Sequence, residues 1–578
     1  MNPARPRSAG EALSHFGRRL YQRGELMAAA QAYEAALRYD RNHAPAINGL
    51  GGVLHRFGRI HDALACYRRA VELDGRFIPA LLNMTLASLQ SQRYGDAEQT
   101  AQAVLRIQPD HLNALEALLK VYQRVCDWSR LSAVLPRFWQ AAEQRMARSE
   151  HCHLSLLDLY ALPLDARQMF ALVANHGSHL SAAFAAERRC FDRNAVVQRR
   201  RQGPGKIRLG YVSPDFRNHP VANHIWELFA LHDRERFEVY AYSLGPDDGS
   251  PYRAKLAGDA DVFRDLYSLS VTQSIAVIRN DEVDILIDLG GYTGFARPEL
   301  FAARSAVLQV SYLGYCGTLG ADYMDYLVTD RVLSPPSHDD LMSEKALRLP
   351  VSSQLFNRRQ PVPAAAVDRA RWGLPEDRFV FCAFHRFEKI DEQSFTAWMA
   401  ILNAVSDSVL WLNPAPEQAR RNLESCARRQ GVDPRRLIFA VPQKLDKQAY
   451  VDRQQCADLF LDTFRFNAHS TASAALWAGV PVLTCPGDRY ISRAAASLVS
   501  AAGLRELITD SVESYQATAV ALANDRQRLA RLRRCLVEGR EHLDLFNTVQ
   551  TVRRLESGYQ DIWRGLMNTA PVCEEKRS

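Results

Sequence analysis

The amino-acid sequence predicts a mixed α + α/β chain: an N-terminal tetratricopeptide-type α-solenoid followed by two doubly wound, Rossmann-like domains. Three observations predict it. Small and aromatic residues recur every 34 positions in the first part of the chain, the recurrence fades after about residue 125, and nine short apolar runs alternate with helical stretches beyond residue 204. A chain of 578 residues also exceeds what one hydrophobic core usually serves, so several domains are expected.

In the repeats, Gly24 and Gly58 stand 34 apart, as do Tyr33 and Tyr67, Asp40 and Asp74, and the series Ala29, Ala63, Ala97 and Ala46, Ala80, Ala114. That period belongs to two-helix tetratricopeptide units. Small residues let the paired helices approach, and the tyrosines fill the space between them. About three units are visible from Gly17 to Val125, the third degenerate, with Gln92 at the glycine position. Stacks of this kind present a concave surface to peptides or partner proteins. Residues 126–203 read as further repeat-like helices, and "RRRQGPGK" (Arg199–Lys206) marks a break where Gly and Pro end the helix.

Beyond that break the pattern becomes strand, loop, helix. "IRLGYVS" (Ile207–Ser213), "FEVYAYSL" (Phe237–Leu244), "VDILIDLGG" (Val283–Gly291) and "VLQVSYLG" (Val307–Gly314) read as one series of buried strands. "FVFCAFH" (Phe379–His385), "SVLWLN" (Ser408–Asn413), "LIFAVP" (Leu437–Pro442), "ADLFLDT" (Ala457–Thr463) and "PVLTCP" (Pro481–Pro486) read as a second. Apolar runs alternating with helices imply parallel sheets covered on both faces. The expected division is therefore repeats at 1–125, a helical linker at 126–203, and α/β domains at 204–357 and 358–568, the last including the terminal helices.

Composition narrows the class. Hydrophobic residues are 47% of the chain and charged residues 24%, as in globular proteins. A net charge of +7 suits anionic ligands without singling out nucleic acid. Eleven scattered cysteines without a CxxC pair fit a reducing compartment, and no apolar run has signal-peptide or membrane-spanning length, so a cytoplasmic protein without membrane partners is expected. No Walker A, GxGxxG, GxSxG or HExxH pattern occurs. Asp259-Ala-Asp261 lies between strands, and His151-Cys152-His153 reads as helical surface, so neither is taken as a metal site.

Polar clusters fall at the expected strand ends, where doubly wound folds bind ligands. "GYVSPDFRNHP" (Gly210–Pro220) carries Asp215, Asn218 and His219, "DLGGYTG" spans Asp288–Gly294, and "GYCGTLGADYMDY" (Gly314–Tyr326) offers glycines for close backbone approach. "HRFEKID" (His385–Asp391) brings Arg386 and Lys389, and "NAHST" brings His469, Ser470 and Thr471 to the start of an alanine-rich helix. Two readings of that start stand side by side: simple N-capping, or an anion site on the free N–H groups and positive end of the helix. Together the loops favour a cleft for an anionic ligand, with Lys389, Arg386 and Lys447 as its positive charges.

Taken in order, the repeats, "GYVSPDFRNHP", "DLGGYTG", "LGYCGTLGADYMDYLVTD", "KID" and "NAHSTASAALWAGVPVLTCPG" resemble the O-linked N-acetylglucosamine transferases over nearly the whole chain. The resemblance implies a GT-B fold and UDP-N-acetylglucosamine as co-substrate, with no cofactor or metal. It also implies serine or threonine hydroxyls of proteins, held through the repeats, as acceptors, and inversion at the anomeric carbon. By the same resemblance Lys389 neutralises the leaving diphosphate above His469, Ser470 and Thr471, and Arg386 stands near the phosphates. Lys447 approaches the ribose, Tyr450 stacks on the uracil, and Arg453 contacts the base through its backbone. His219 lines the active-site floor, Thr293 and the backbone at Gly317 contact the sugar, and His219 or Asp288 serves as base. Two positions depart from the pattern: Ala474 replaces an aspartate that holds the ribose hydroxyls, and Cys316 replaces a proline. Transfer of a different UDP-sugar, epimerase or hydrolase chemistry on the same fold, and a protein-binding scaffold with a decayed site are the alternatives.

Overall fold

The computed structural model describes residues 9–203, 205–364 and 368–568, so Pro204, Ala365 and Ala366, at the expected domain boundaries, lie outside the described residues. The chain forms two compact units: residues up to Leu154 together with Pro416–Asn422, and Ser155–Ala415 together with the segment from Leu423.

The first unit contains helices in consecutive pairs: Ala9–Gln22 with Leu26–Tyr39, Ala44–Arg56 with Ile60–Leu73, Ile78–Gln90 with Tyr94–Ile107, and Leu112–Arg124 with Trp128–Ala147. Tyr33 and Tyr67 are 3% and 1% exposed. Each fills the gap opposite glycines: a Cβ at Gly17 would lie 2.9 Å from the Tyr33 ring, and one at Gly51 would lie 2.6 Å from the Tyr67 ring. The pairs extend past the expected end at Val125. The last pair keeps the backbone plan after the tyrosine and glycine markers have gone. Its turn residue Cys126 (φ 54°) and the preceding Gln92 (φ 57°) hold the same left-handed conformation as Gly24 and Gly58, a conformation that costs a non-glycine residue about 1 kcal/mol. His151–His153, expected on a helix, lies in an irregular segment with His153 at φ 53°, and this segment buries Cys152.

The second unit holds two parallel sheets. The first comprises β1 (Ile207–Ser213), β2 (Phe237–Ser243), β3 (Val262–Asp265), β4 (Ile285–Asp288), β5 (Leu308–Ser311), β6 (Tyr326–Asp330) and β7 (Lys345–Leu349), in the order β3-β2-β1-β4-β5-β6-β7. The second comprises β8 (Phe379–Ala383), β9 (Ser408–Leu412), β10 (Leu437–Phe439), β11 (Leu459–Leu461) and β12 (Val482–Leu483), in the order β10-β9-β8-β11-β12. All the expected strands form; β3, β6 and β7 are additional. β3 and β7 lie at the two edges of the first sheet and are only partly buried, so they lack the continuous apolar signature. Both sheets reverse direction of growth once, between β1 and β4 and between β8 and β11. These reversals open crevices outside the carboxyl ends of the strands.

The terminal helix Thr548–Asn568, grouped by sequence with the second sheet, instead buries Val552, Leu555, Tyr559 and Ile562 in the core of the first. Glu556 anchors it there, accepting from the Asp233 N–H at 2.7 Å with His232 Nδ1 at 3.1 Å. On the other flank, Gly177 of helix Ala166–Ala183 lets that helix touch Gly320, so the glycine-rich loop after β5 is fixed from outside. Among the described residues no helix is long and apolar enough to cross a membrane.

Candidate active site

The loops that leave β1, β8 and β11 converge between the two sheets. The loop after β11 turns sharply into helix Ser470–Trp477 because Asp462, fully buried, accepts the Ala468 N–H at 2.7 Å and the Thr484 hydroxyl at 2.8 Å. Burial pushes its carboxyl up to about 7. His469 sits at the N-cap position with φ −117° and ψ −85°, and no side chain caps the helix. Ser470 does not cap it either: its hydroxyl lies 2.8 Å from His224 Nε2. Simple capping therefore does not account for these residues. The first N–H groups of an eight-residue helix remain open at the positive end of its dipole.

Lys389 ends the short 3-10 turn Phe387–Lys389 after β8. Its ammonium donates to the Asn467 carbonyl at 3.3 Å and lies 3.9 Å above the Phe466 ring. Burial lowers its pKa, while Cys316, Asp462 and Glu388 oppose that shift. The same burial drops His469 to about 3, with His224 and Lys389 adding to the effect, so its ring is neutral at physiological pH.

His219, at the end of the β1 loop, caps the short helix Pro220–His224. Its Nδ1 accepts the Val221 N–H at 3.3 Å and lies 3.4 Å from Asp215 Oδ2. Burial lowers its pKa; Asp215 pulls it up, and Arg217 lowers it further. Five residues on, His224 is buried and spans from the first lobe to the second. Its Nδ1 lies 3.1 Å from the Leu355 carbonyl, its Nε2 meets Ser470, and its ring stacks 5.9 Å from that of His469. Nδ1 also lies 2.8 Å from the Gln354 side-chain nitrogen, the shorter of its two contacts; with that amide donating to Nδ1, Nε2–H donates to the Ser470 oxygen and leaves the hydroxyl proton free. Burial depresses this histidine to about 4.

A cavity of about 320 Å³ opens beside this helix mouth, lined by His219, Lys447, Tyr450, Ser470, Ser473 and Ala474 among others. Lys447, the first residue of helix Lys447–Gln455, reaches across to the first lobe, 4.6 Å from the Tyr252 ring centre and 5.8 Å from that of Trp226. The structure thus brings His219, Lys447, Tyr450 and Ser470 to one cavity; Lys389 meets the Asn467 carbonyl just before the helix, and His469 lines a second cavity together with Cys316.

Other expected site residues sit elsewhere. Arg386 is 74% exposed and pairs with Glu388 at 2.5 Å. The Arg453 guanidinium is buried 4.2 Å from the Phe384 ring centre, and its carbonyl already accepts a helical N–H. Asp288, 4% exposed, uses Oδ1 to accept the Gly290 and Gly291 N–H groups at 2.8 and 2.9 Å, and burial raises it to about 6. Thr293 folds its hydroxyl back onto the Gly290 carbonyl at 2.7 Å. Gly317 lies against Tyr160 in a separate small cavity. Asp259 and Asp261 are taken up by Lys255 and by Arg234. Sequence reasoning missed His224 and Asp462. Asp462 stands inside the strand run "ADLFLDT", where a terminal buried aspartate was the available signal. His224 follows the β1 motif with no local pattern of its own.

Two doubly wound lobes facing one another across an uncapped helix terminus define a GT-B-type fold. The chain belongs to glycosyl transferase family 41, whose model matches residues 125–363 and 356–555. A probable UDP-N-acetylglucosamine–peptide N-acetylglucosaminyltransferase of Arabidopsis thaliana (SEC) is 35% identical over 456 residues, covering 77% of this chain and 46% of the relative. A UDP-N-acetylglucosamine–peptide N-acetylglucosaminyltransferase of Caenorhabditis elegans is 27% identical over 572 residues, covering 78% and 49%. The chain thus spans about half the length of these relatives. Among solved structures, a lysine-to-methionine mutant of the O-GlcNAc transferase of Thermobaculum terrenum superposes with a TM-score of 0.67 at 25% identity, covering 98% of this chain and 99% of that one.

Proposed function

We propose that this chain transfers N-acetylglucosamine from UDP-N-acetylglucosamine to serine or threonine hydroxyls of proteins, with inversion. The observation that carries the reading is the uncapped terminus of helix Ser470–Trp477 with the Lys389 ammonium beside it, held at the Asn467 carbonyl. Transfer leaves negative charge on the diphosphate, and preorganised donors aimed at developing charge contribute most to such a rate. Lys389, the open helical N–H groups and the Ser470 hydroxyl are those donors, so the reading needs no metal for the leaving group. The names of the relatives agree with this donor and this acceptor class.

His219 is the base in this reading. Taking the acceptor proton at Nε2 uses the tautomer with hydrogen on Nδ1, given to the Asp215 carboxylate in exchange for the Val221 N–H that Nδ1 accepts in the capped arrangement. Asp288 is assigned instead to shaping the Gly290–Gly291 turn, because its Oδ1 is already spent there. The N-terminal helical repeats are assigned to binding acceptor polypeptide, as their architecture favours. The test is incubation with UDP-N-acetylglucosamine and serine- and threonine-containing polypeptides in excess EDTA, read by mass spectrometry. β-Linked glycopeptide is the expected product; free sugar or isomerised donor without glycopeptide would refute the proposal.

A further inference from the structure

A separate cavity of about 430 Å³ lies where the loops after β11 and β12 meet the segment Pro163–Asp165. Arg489 stands in its wall, 5% exposed. Among the described residues its guanidinium meets only carbonyls, those of Leu162 at 3.4 Å and Arg465 at 3.0 Å. A guanidinium has five N–H donors, so most of its capacity is unspent. Arg465, half-buried in the same wall, makes no side-chain hydrogen bond or ion pair among the described residues. Burial lowers the pKa of Arg489, with Asp488 opposing that shift and Arg465 adding to it. Buried charges are ordinarily paired, so two neighbouring guanidiniums without a carboxylate call for an anionic group. The cavity does carry three carboxylates, but none pairs with either arginine. Asp165 caps helix Ala166–Ala183 through the Gln168 N–H at 2.8 Å, Asp510 accepts the Ser514 hydroxyl at 2.9 Å, and Asp488 is exposed. The wall is fixed in advance: the Phe464 N–H donates to the Ser394 hydroxyl at 2.9 Å, and that hydroxyl donates to Asp391 at 2.7 Å.

We propose that Arg465 and Arg489 form a subsite for an acidic side chain of the acceptor polypeptide; this rests on the transfer reading above. The placement favours a group delivered with the acceptor over a free anion. Arg465 lies two residues before Asn467, whose carbonyl takes the Lys389 ammonium at 3.3 Å. Consecutive Cα atoms are about 3.8 Å apart, so the subsite starts within about 8 Å of that residue. An extended chain advances about 3.3–3.6 Å per residue, which brings a carboxylate about two to five positions from the acceptor hydroxyl into reach. The planar fork of a guanidinium matches a carboxylate with two parallel hydrogen bonds. A glutamine of the same shape carries no charge to offset the two arginines, so the subsite separates glutamate from glutamine.

The experiment uses the full chain, UDP-N-acetylglucosamine and single-serine peptides in which one Glu, Gln or Lys is walked along both sides of the serine. Arg465 has no partner within the fold, so Arg465→Gln and Arg465→Glu test the subsite without breaking a contact. The wild type is expected to use Glu over Gln at one or two positions by roughly tenfold in kcat/KM, as befits a charge-assisted hydrogen bond. Arg465→Gln is expected to cut that ratio by roughly threefold or more, and Arg465→Glu to turn the preference at the same position towards Lys. Equal use of Glu and Gln at every position by the wild type, or an unchanged ratio in both variants, overturns the subsite and leaves the transfer reading standing. Absence of glycopeptide from every peptide in the set overturns the transfer reading itself, and the subsite with it.

Discussion

Replacing Lys389 by methionine isolates the largest electrostatic contribution proposed for the reaction. Methionine retains the length and apolar stem that pack over Phe466, and it removes the ammonium that donates to the Asn467 carbonyl at 3.3 Å. Burial already disfavours the charged form of Lys389 in the empty protein. Its removal therefore costs the fold little, and Tm should be unchanged or higher. With diphosphate bound, the balance reverses. A unit charge about 4 Å from a leaving oxygen is worth about 4 kcal/mol at an effective dielectric constant of about 20, and loss of one preorganised donor typically costs about 2.7–4 kcal/mol. At about 1.36 kcal/mol per decade, kcat should fall by about a hundredfold to a thousandfold. UDP still binds, because the helix terminus and the nucleoside cavity remain. The assay is UDP release coupled to glycopeptide formation, with UDP titration of the same preparation as control. A kcat within about tenfold of wild type, in a variant that still binds UDP, would refute the assignment of Lys389 to the leaving group.

Three further predictions come from the same geometry. Because burial lowers the pKa of His219, the neutral base persists below the ordinary histidine range; the acid limb of kcat/KM should fall below pH 6.5, shift lower still in Asp215→Asn, and disappear with most of the activity in His219→Ala. Asp288 is raised from 3.8 to about 6 by burial, so its ionisation destabilises the folded state progressively between those pH values, by up to about 3 kcal/mol above pH 6. Asp288→Asn keeps the acceptor for Gly290 and Gly291 and cannot ionise, so its Tm relative to wild type should rise between pH 4 and pH 7, and a pH-independent offset would count against this account. Gly320 has φ +59° and a Cβ there would lie 2.6 Å from the Ala174 backbone nitrogen, so Gly320→Ala should lower stability by about 2–4 kcal/mol through strain and overpacking, measured by thermal melting.

The fold was legible wherever side chains alone carry the periodicity. Tyr33 and Tyr67 mark the repeats because an aromatic ring must fill what glycine leaves open. A buried strand such as β8 reads as an unbroken apolar run because both faces are covered. The fourth pair was legible as repeat-like helix but not as a unit, because Cys126 adopts the turn conformation that Gly24 and Gly58 advertise, and an occasional left-handed residue leaves no composition signal. The terminal helix shows a further limit: its apolar face is plain in the sequence, but nothing in that face says which of two sheets it covers.

The candidate site divides along the same line. Residues in loops at strand ends were legible because the topology of a doubly wound sheet sends every such loop to one rim. Lys389 and His469 were singled out as candidates this way. Residues that act through tertiary contact were not. Arg386 and Lys389 stand three apart in one motif, yet one turns outward to Glu388 and the other inward to Asn467. His224 bears no motif, and its place is decided by Ser470, 246 positions away. Its span ties the first lobe to the start of helix Ser470–Trp477. The Ser470 hydroxyl belongs to the second lobe, but its orientation is fixed by a histidine of the first, itself held at Nδ1 by the Gln354 side chain. In the proposed reading, a nucleotide seated on helix Ser470–Trp477 would meet both lobes through one hydroxyl, and donor binding would be coupled to lobe registration by a hydrogen bond that no local reading of either segment contains.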